Sequence, residues 1–182
     1  PNAIMVVSAH WQTKGTFVSV NPFPKTIYDF GGFDDRLYEV KYEPAGHPEF
    51  AREVIAQLPL VQEDHDRGLD HGAWTVLKFI YPHADIPVFQ LSIDYAQSPA
   101  KHYEMAQALK KMREKGGLTI GSGNVVHNLG RVDYYNIDAK TQDWAIEFDE
   151  LVKNKLNKQD FTSLIAYRKL GSSALISVPT ED

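Results

Sequence analysis

Short apolar runs separated by longer amphipathic stretches are the main pattern along this chain. The run Ile4-Met5-Val6-Val7 is apolar throughout, which is typical of a strand buried on both faces of a parallel sheet. Residues 86–94 and 118–120 have the same character, and residues 16–20 alternate between apolar and polar positions as a half-buried strand does. We therefore predict strands at these places, with a further short strand at residues 60–63.

Between these runs, apolar residues recur with the spacing of one helical face. This spacing predicts helices over about 49–58, 71–81, 98–115, 141–156 and 161–170. Strands thus alternate with helices along the chain, an order typical of an α/β domain with a mostly parallel central sheet. We expect residues 1–182 to form a single three-layer domain of this class.

Composition narrows the possible functions. The 182 residues, 43% of them hydrophobic, are enough to bury a sizeable core. A net charge of −5 argues against a nucleic-acid partner, and no apolar run approaches the roughly 20 residues that span a bilayer. Because the chain has no cysteine, disulfides, thiolate nucleophiles and cysteine-type zinc sites are excluded. Any metal must be held by histidines and carboxylates, and we expect a cytoplasmic protein without nucleic-acid or membrane partners.

Three histidines lie at the ends of predicted buried elements. His10 follows the first strand, His127 follows the strand at 118–120, and His71 begins a helix. Ligands of open α/β sheets bind beyond the carboxyl ends of the strands, so we expect the three histidines around one metal or acid–base site. The helix dipole opposes protonation of His71. Alternatively, each is a hydrogen-bonded core histidine, and Asp70 is a helix N-cap beside which His71 is incidental.

Common nucleophile and phosphate motifs are missing. The stretch Gly121-Ser122-Gly123 lacks the G-x-S-x-G spacing of a nucleophile elbow, and neither a Walker loop nor a G-x-G-x-x-G fingerprint occurs.

Five ordered motifs nevertheless carry a resemblance that covers essentially the whole chain. The chain resembles the class III extradiol ring-cleavage dioxygenases, in the branch of the DOPA 4,5-dioxygenases, through Ser8-Ala9-His10-Trp11, Tyr28-Asp29-Phe30-Gly31-Gly32-Phe33, Gly68-Leu69-Asp70-His71-Gly72-Ala73-Trp74, Ser122-Gly123-Asn124-Val125-Val126-His127-Asn128-Leu129 and Pro179-Thr180.

This resemblance implies a phosphorylase/hydrolase-like core and a non-haem metal centre. The reaction it implies is cleavage of a catechol such as DOPA by O₂, beside the two hydroxyl groups, to a muconic semialdehyde. Fe(II) would be the metal used in catalysis, and Zn(II) is often bound in related structures. His10 would be a metal ligand, His127 an acid–base residue and a ligand of zinc-bound forms, and His71 a residue near bound O₂ or substrate. The substrate-binding residues it implies are Trp11, Phe30, Phe33, Trp74 and Asn128.

The family pattern contains two further histidine ligands. One belongs to a Gly-His-Gly-Ser-Pro motif on an earlier strand, and the other follows a Pro-Thr pattern near the C-terminus. Neither occurs here, so we expect the 182-residue chain to be incomplete at both ends and inactive alone. Glu181 and Asp182 are weak substitutes, since terminal residues are usually mobile.

Two other function classes remain. One is a non-catalytic binding or signalling protein on the same scaffold. The other is a zinc hydrolase, which is disfavoured because no carboxylate pair or bridging-metal motif occurs.

Overall fold

The structure is a computed structural model that describes residues 1–58 and 60–180. The chain divides into two compact units, Pro1–Gly123 and Asn124–Asp182. The first unit contains all seven strands of the described residues: β1 Ala3–Ser8, β2 Gln12–Thr13, β3 Phe17–Ser19, β4 Gln62–Asp64, β5 Val88–Gln90, β6 Ile93–Asp94 and β7 Gly117–Ser122. Its helices are α1 Pro48–Gln57, α2 His71–Ile80, α3 Pro99–Ala108 and α4 Lys110–Glu114, with a 3₁₀ turn at Asp35–Glu39.

The main sheet of the first unit is parallel, in the order β5-β1-β7. Its central strand β1 is buried on both faces, because Ala3 and Met5 point into one apolar cluster while Ile4 and Val6 point into the other. The first cluster lies against α1 and α4, and the second lies against α2. This arrangement of helix, sheet and helix confirms the predicted α/β class with a parallel sheet.

Smaller parallel pairs extend this core. β2 pairs with β6 and β3 pairs with β4. The prediction of one strand over residues 86–94 is therefore wrong in part, because β5 belongs to the main sheet and β6 to another. The change of partner occurs at Ser92, whose Oγ accepts a hydrogen bond from the Phe17 backbone and bonds Thr13 Oγ. These contacts draw the chain away from β1.

The predicted helix over 98–115 is two helices. Ser98 caps α3, but the backbone N–H of Leu109 donates to the carbonyl of Ala106 and tightens the turn there. Leu109 and Met112 are buried in the core, so the break turns the second helix toward the sheet. Gly116 ends α4 with a φ of +82°, a conformation that glycine adopts without strain.

The second unit is helical. Its elements are α5 Asp143–Asn157, α6 Phe161–Ile165 and α7 Ser172–Ser177, with 3₁₀ turns at Leu129–Arg131 and Tyr167–Lys169. The predicted helix over 161–170 thus ends at Ile165, where Ala166 separates it from a 3₁₀ turn. Phe148 of α5 and Ala174 of α7 are buried, as the amphipathic pattern requires. That residues 1–182 form one domain stays a prediction.

None of the helices in the described residues combines the length and the apolar character needed to cross a membrane.

Candidate active site

Two of the three predicted histidines lie in contact at the carboxyl edge of the main sheet. β1 ends at Ser8, and the following turn carries His10, while α2 begins at His71. The His10 and His71 ring centroids are 4.0 Å apart, with the ring planes tilted by 39°. His10 is exposed and His71 is partly exposed, so both imidazoles are accessible to a ligand.

A carboxylate orients the second of these rings. Asp29 Oδ1 accepts hydrogen bonds from the backbone N–H of His71 and from its Nδ1, both at 2.9 Å. Burial alone would raise the pKa of Asp29, but these hydrogen bonds and the nearby imidazole outweigh it and hold the pKa below its usual value. Because an ionised carboxylate only accepts, the shared proton lies on Nδ1, and in the neutral form of the ring the free lone pair is on Nε2.

Asp29 joins the two histidines in a set of possible metal ligands. One ligand atom from each of His10, Asp29 and His71 lies within 4.8 Å of the others, and this is the only such cluster found among the residues that the structure describes. Two imidazoles and one carboxylate are a donor set that suits Fe(II) and Zn(II). The chemistry of the cluster therefore fits a divalent transition metal.

Sequence reasoning did not single out Asp29. It lies 42 residues before His71, and within the stretch Tyr28–Phe33 the resemblance implies only Phe30 and Phe33 as site residues. The only signal was the position of an acidic residue inside a motif of the family resemblance.

Aromatic rings flank the cluster on one side. The Phe30 ring lies 5.6 Å from the His71 ring in an edge-on arrangement, and Phe33 lies a further 5.6 Å from Phe30 and is 61% exposed. The Trp74 ring packs behind Phe30 at 6.1 Å but is buried, and its indole N–H donates to the Ile27 carbonyl. Phe30 and Phe33 are thus two predicted substrate-binding residues that lie on the His71 side of the cluster.

Trp11 is also buried, and the Arg67 guanidinium lies over its ring at 5.0 Å. The predicted contacts of Trp11 and Trp74 with substrate stay predictions.

The third predicted histidine belongs to the second unit. The backbone N–H of His127 bonds the Ser177 carbonyl, and the Asn128 side chain donates to the Ile176 carbonyl at 2.7 Å, so both residues are held by α7. Nε2 of His127 is shielded from solvent and has no hydrogen-bond partner among the described residues. A buried polar atom without a hydrogen bond is unusual in a folded protein, which makes this nitrogen a candidate ligand atom. Glu181 and Asp182, considered above as carboxylate ligands, lie outside the described residues.

Comparisons with known proteins agree on one family. Residues 1–178 match the family described as the catalytic LigB subunit of aromatic ring-opening dioxygenase. The chain is 45% identical over 162 residues to the 4,5-DOPA dioxygenase extradiol of Escherichia coli (strain K12), which covers 87% of this chain and 59% of that protein. It is 39% identical over 172 residues to the protein of the same name from Beta vulgaris, which covers 92% of this chain and 63% of that protein.

A solved structure is similar over nearly the whole chain. The crystal structure of an uncharacterized protein from Escherichia coli K12 matches with a TM-score of 0.84 and 39% identity, over 99% of this chain and 70% of that one. The two sequence relatives named above are longer than this chain, which spans less than two thirds of the length of each.

Proposed function

The chain belongs to the family of catalytic LigB subunits of aromatic ring-opening dioxygenases, and on this basis we propose that it is an extradiol dioxygenase. The proposed substrates are a catechol and O₂, and the proposed product is the muconic semialdehyde formed by opening the ring beside its two hydroxyl groups. DOPA is the first catechol to test, because two relatives are named for it. The observation that carries the proposal is the cluster of His10, Asp29 and His71.

A non-haem metal ion is part of this proposal. His10 is the proposed ligand in the cluster, because it is exposed and, within the described part of the chain, forms no ion pair with a carboxylate, whereas His71 is paired with Asp29. His127 is the proposed second ligand and acid–base residue, in keeping with its unpartnered Nε2. Fe(II) held there would supply the one-electron chemistry that allows O₂ to react with a catechol, whereas Zn(II) would occupy the site without redox activity.

The pair of Asp29 and His71 is proposed to move a proton. A catechol must lose its hydroxyl protons before both oxygens can act as anionic ligands. His71 Nε2 has a free lone pair, because Asp29 holds the proton of the ring on Nδ1. It is therefore suited to take a proton from a substrate hydroxyl, and Asp29 would stabilise the imidazolium that forms.

Phe30 and Phe33 are proposed to contact the ring of the substrate. Small-molecule sites are lined mainly by apolar and aromatic side chains, with a few polar groups to fix orientation. Both rings lie on the His71 side of the cluster, and Phe33 is open to solvent. Trp11, Trp74 and Asn128 are also proposed to bind the substrate, and the Trp74 ring packs against Phe30.

The test measures O₂ uptake and formation of the yellow semialdehyde with DOPA, catechol and protocatechuate, after loading with Fe(II). Because this chain covers 59% of the Escherichia coli relative, the assay uses both the 182-residue chain and a chimaera extended at both ends with residues of that relative. Cleavage by either protein supports the proposal. Folded, iron-bound proteins that both fail to cleave any catechol would contradict it, and catechol binding without cleavage would favour a non-catalytic binding protein.

A pair of variants assigns the activity to the cluster. His10→Ala is expected to abolish cleavage. The matched control is His65→Ala, which removes an exposed histidine that pairs with Glu63 at 3.2 Å. The control should retain the full rate, and equal rates in the two variants would rule out His10 as the metal ligand.

A further inference from the structure

The N-terminal end of α2 is hydrogen-bonded to side chains at the carboxyl ends of all three strands of the main sheet. Ser8 Oγ at the end of β1 donates to Asp70 Oδ1 at 2.7 Å, and Gln90 Nε2 at the end of β5 donates to Asp70 Oδ2 at 3.0 Å. Ser122 Oγ at the end of β7 donates to the Gly72 carbonyl at 2.6 Å. We name Ser8, Asp70 and Gln90, which are joined through the carboxylate, the Asp70 cluster. They connect the sheet edge directly to the helix that begins with His71.

The carboxylate of Asp70 is the centre of this cluster and is fully buried. It caps α2 by accepting from the Ala73 backbone, and it accepts from Arg67 Nη2 at 2.7 Å. A buried carboxylate is costly unless it is paired and hydrogen-bonded, and even then apolar residues of the same volume often stabilise a core equally well. Stability alone is therefore a weak reason for a charge at this position.

The hydrogen bonds of Asp70 lead directly to His10. While Ser8 Oγ donates to Asp70, it accepts a hydrogen bond from the backbone N–H of His10 at 3.2 Å. The imidazole of His10 also rests on Gly72, because a Cβ added there would lie 2.7 Å from His10 Cδ2. The position of His10 thus depends on the hydroxyl that Asp70 holds, and the position of His71 depends on the helix that Asp70 caps.

We propose that Asp70 is the positioning residue of the active site, acting through Ser8 and the start of α2 to hold the His10 and His71 rings against each other. The inference rests on the proposed function for its catalytic meaning, since the two rings are the proposed ligand and the proposed base. Asp70 itself touches neither substrate nor metal in this account. Its effect on the reaction is through the geometry of the two histidines.

The test uses four variants and two readouts that do not require turnover. The first readout is the nuclear Overhauser effect between the His10 and His71 ring protons, and the second is the affinity for Co²⁺ alone, measured by its visible spectrum. Asp70→Asn removes the charge, and Ser8→Ala removes the link to His10. Ser122→Ala removes an equivalent serine hydroxyl that bonds α2 but not His10. Leu77→Ala destabilises the same helix from its fully buried apolar side.

We expect Asp70→Asn and Ser8→Ala to lose the ring contact and to weaken Co²⁺ binding by roughly 10–100-fold, the usual cost of removing a group that orients a ligand. Ser122→Ala and Leu77→Ala should keep the contact and bind Co²⁺ within about 3-fold of the parent at a temperature where all variants are folded. A contact retained in Asp70→Asn, or lost equally in Leu77→Ala, would overturn the inference. Neither readout measures ring cleavage, so the two proposals can fail separately. A wild-type protein that binds catechols without cleaving them would refute the proposed function, and the role of Asp70 in positioning the two rings could still be measured.

Discussion

The substitution Gly72→Ala tests how closely the start of α2 packs against Ser8 and His10 at the sheet edge. A Cβ at residue 72 would lie 2.6 Å from Ser8 Oγ and 2.7 Å from His10 Cδ2. Ordinary contacts between such atoms are roughly 3.5 Å, so each neighbour must move by on the order of 1 Å. The exposed His10 ring moves more easily than Ser8, because Ser8 is fully buried and hydrogen-bonded.

Two opposing terms set the free energy of unfolding of this variant. Overpacking of a well-filled site costs about 1–3 kcal/mol, whereas replacing glycine by alanine in a helix gains about 1 kcal/mol. We therefore expect a net loss of stability of up to about 2 kcal/mol, together with displacement of His10 from His71. The comparison is Gly121→Ala on β7, where an added Cβ meets no atom within 4 Å.

Urea unfolding measures the stability change, and the chemical shifts of the His10 ring measure the displacement. Gly121→Ala should be neutral or slightly more stable than the parent, because glycine in a strand is destabilising by roughly 0.5–1 kcal/mol. It should leave the His10 shifts unchanged. If Gly72→Ala were as stable as Gly121→Ala and left His10 unmoved, the close packing of His10 on α2 would be refuted.

Three further predictions concern separate parts of the chain. Asp29→Asn should lower the rate of ring cleavage by roughly 10–100-fold while changing Co²⁺ affinity less than His10→Ala does; an equal loss of affinity would make Asp29 a metal ligand. The Lys155 ammonium and the hydrogen bonds from Ser163 lower the pKa of Asp160 from its usual value of 3.8 to about 2. Ionised Asp160 therefore stabilises α6 fully at pH values above 3.8, and this stabilisation is lost as the pH falls toward about 2. Carboxyl NMR titration should find this pKa and its rise in Lys155→Met; an unshifted value in the parent would refute the pairing. Phe89→Ala should cost about 3–5 kcal/mol in urea unfolding, and a cost below about 1 kcal/mol would contradict the placement of Phe89 in the core.

The sequence predicted the elements that carry the site better than the contacts within it. The apolar run at residues 4–7 predicted a strand buried on both faces, and its end placed His10 at the ligand-binding edge of the sheet. The structure bears out the alternative interpretation of Asp70 as a helix N-cap, yet it also brings the neighbouring His71 into contact with His10. The strand and the N-cap depend on local spacing, which one sequence contains in full.

The contacts that escaped prediction depend on tertiary structure. Asp29 reaches His71 from a loop 42 residues away, and no periodic pattern encodes that approach. The meeting of Ser8, Gln90 and Ser122 at one sheet edge depends on strand order and register, which follow only from the folded sheet. Hydropathy likewise does not separate an aromatic residue that lines a pocket from one in the core, so Trp74 and Phe33 look equivalent in the sequence although only Phe33 is exposed.

The central claim is that ring cleavage occurs at the cluster of His10, Asp29 and His71. The most direct measurement is the catalytic rate of His71→Gln with its preferred catechol, beside His65→Gln as the matched control, in whichever of the two proteins above is active. Loss of a general base typically costs 10²–10⁴-fold, so the account predicts a fall of at least about 100-fold for His71→Gln at unchanged Co²⁺ affinity and no change for His65→Gln. A rate of His71→Gln within about 2-fold of the parent would contradict it.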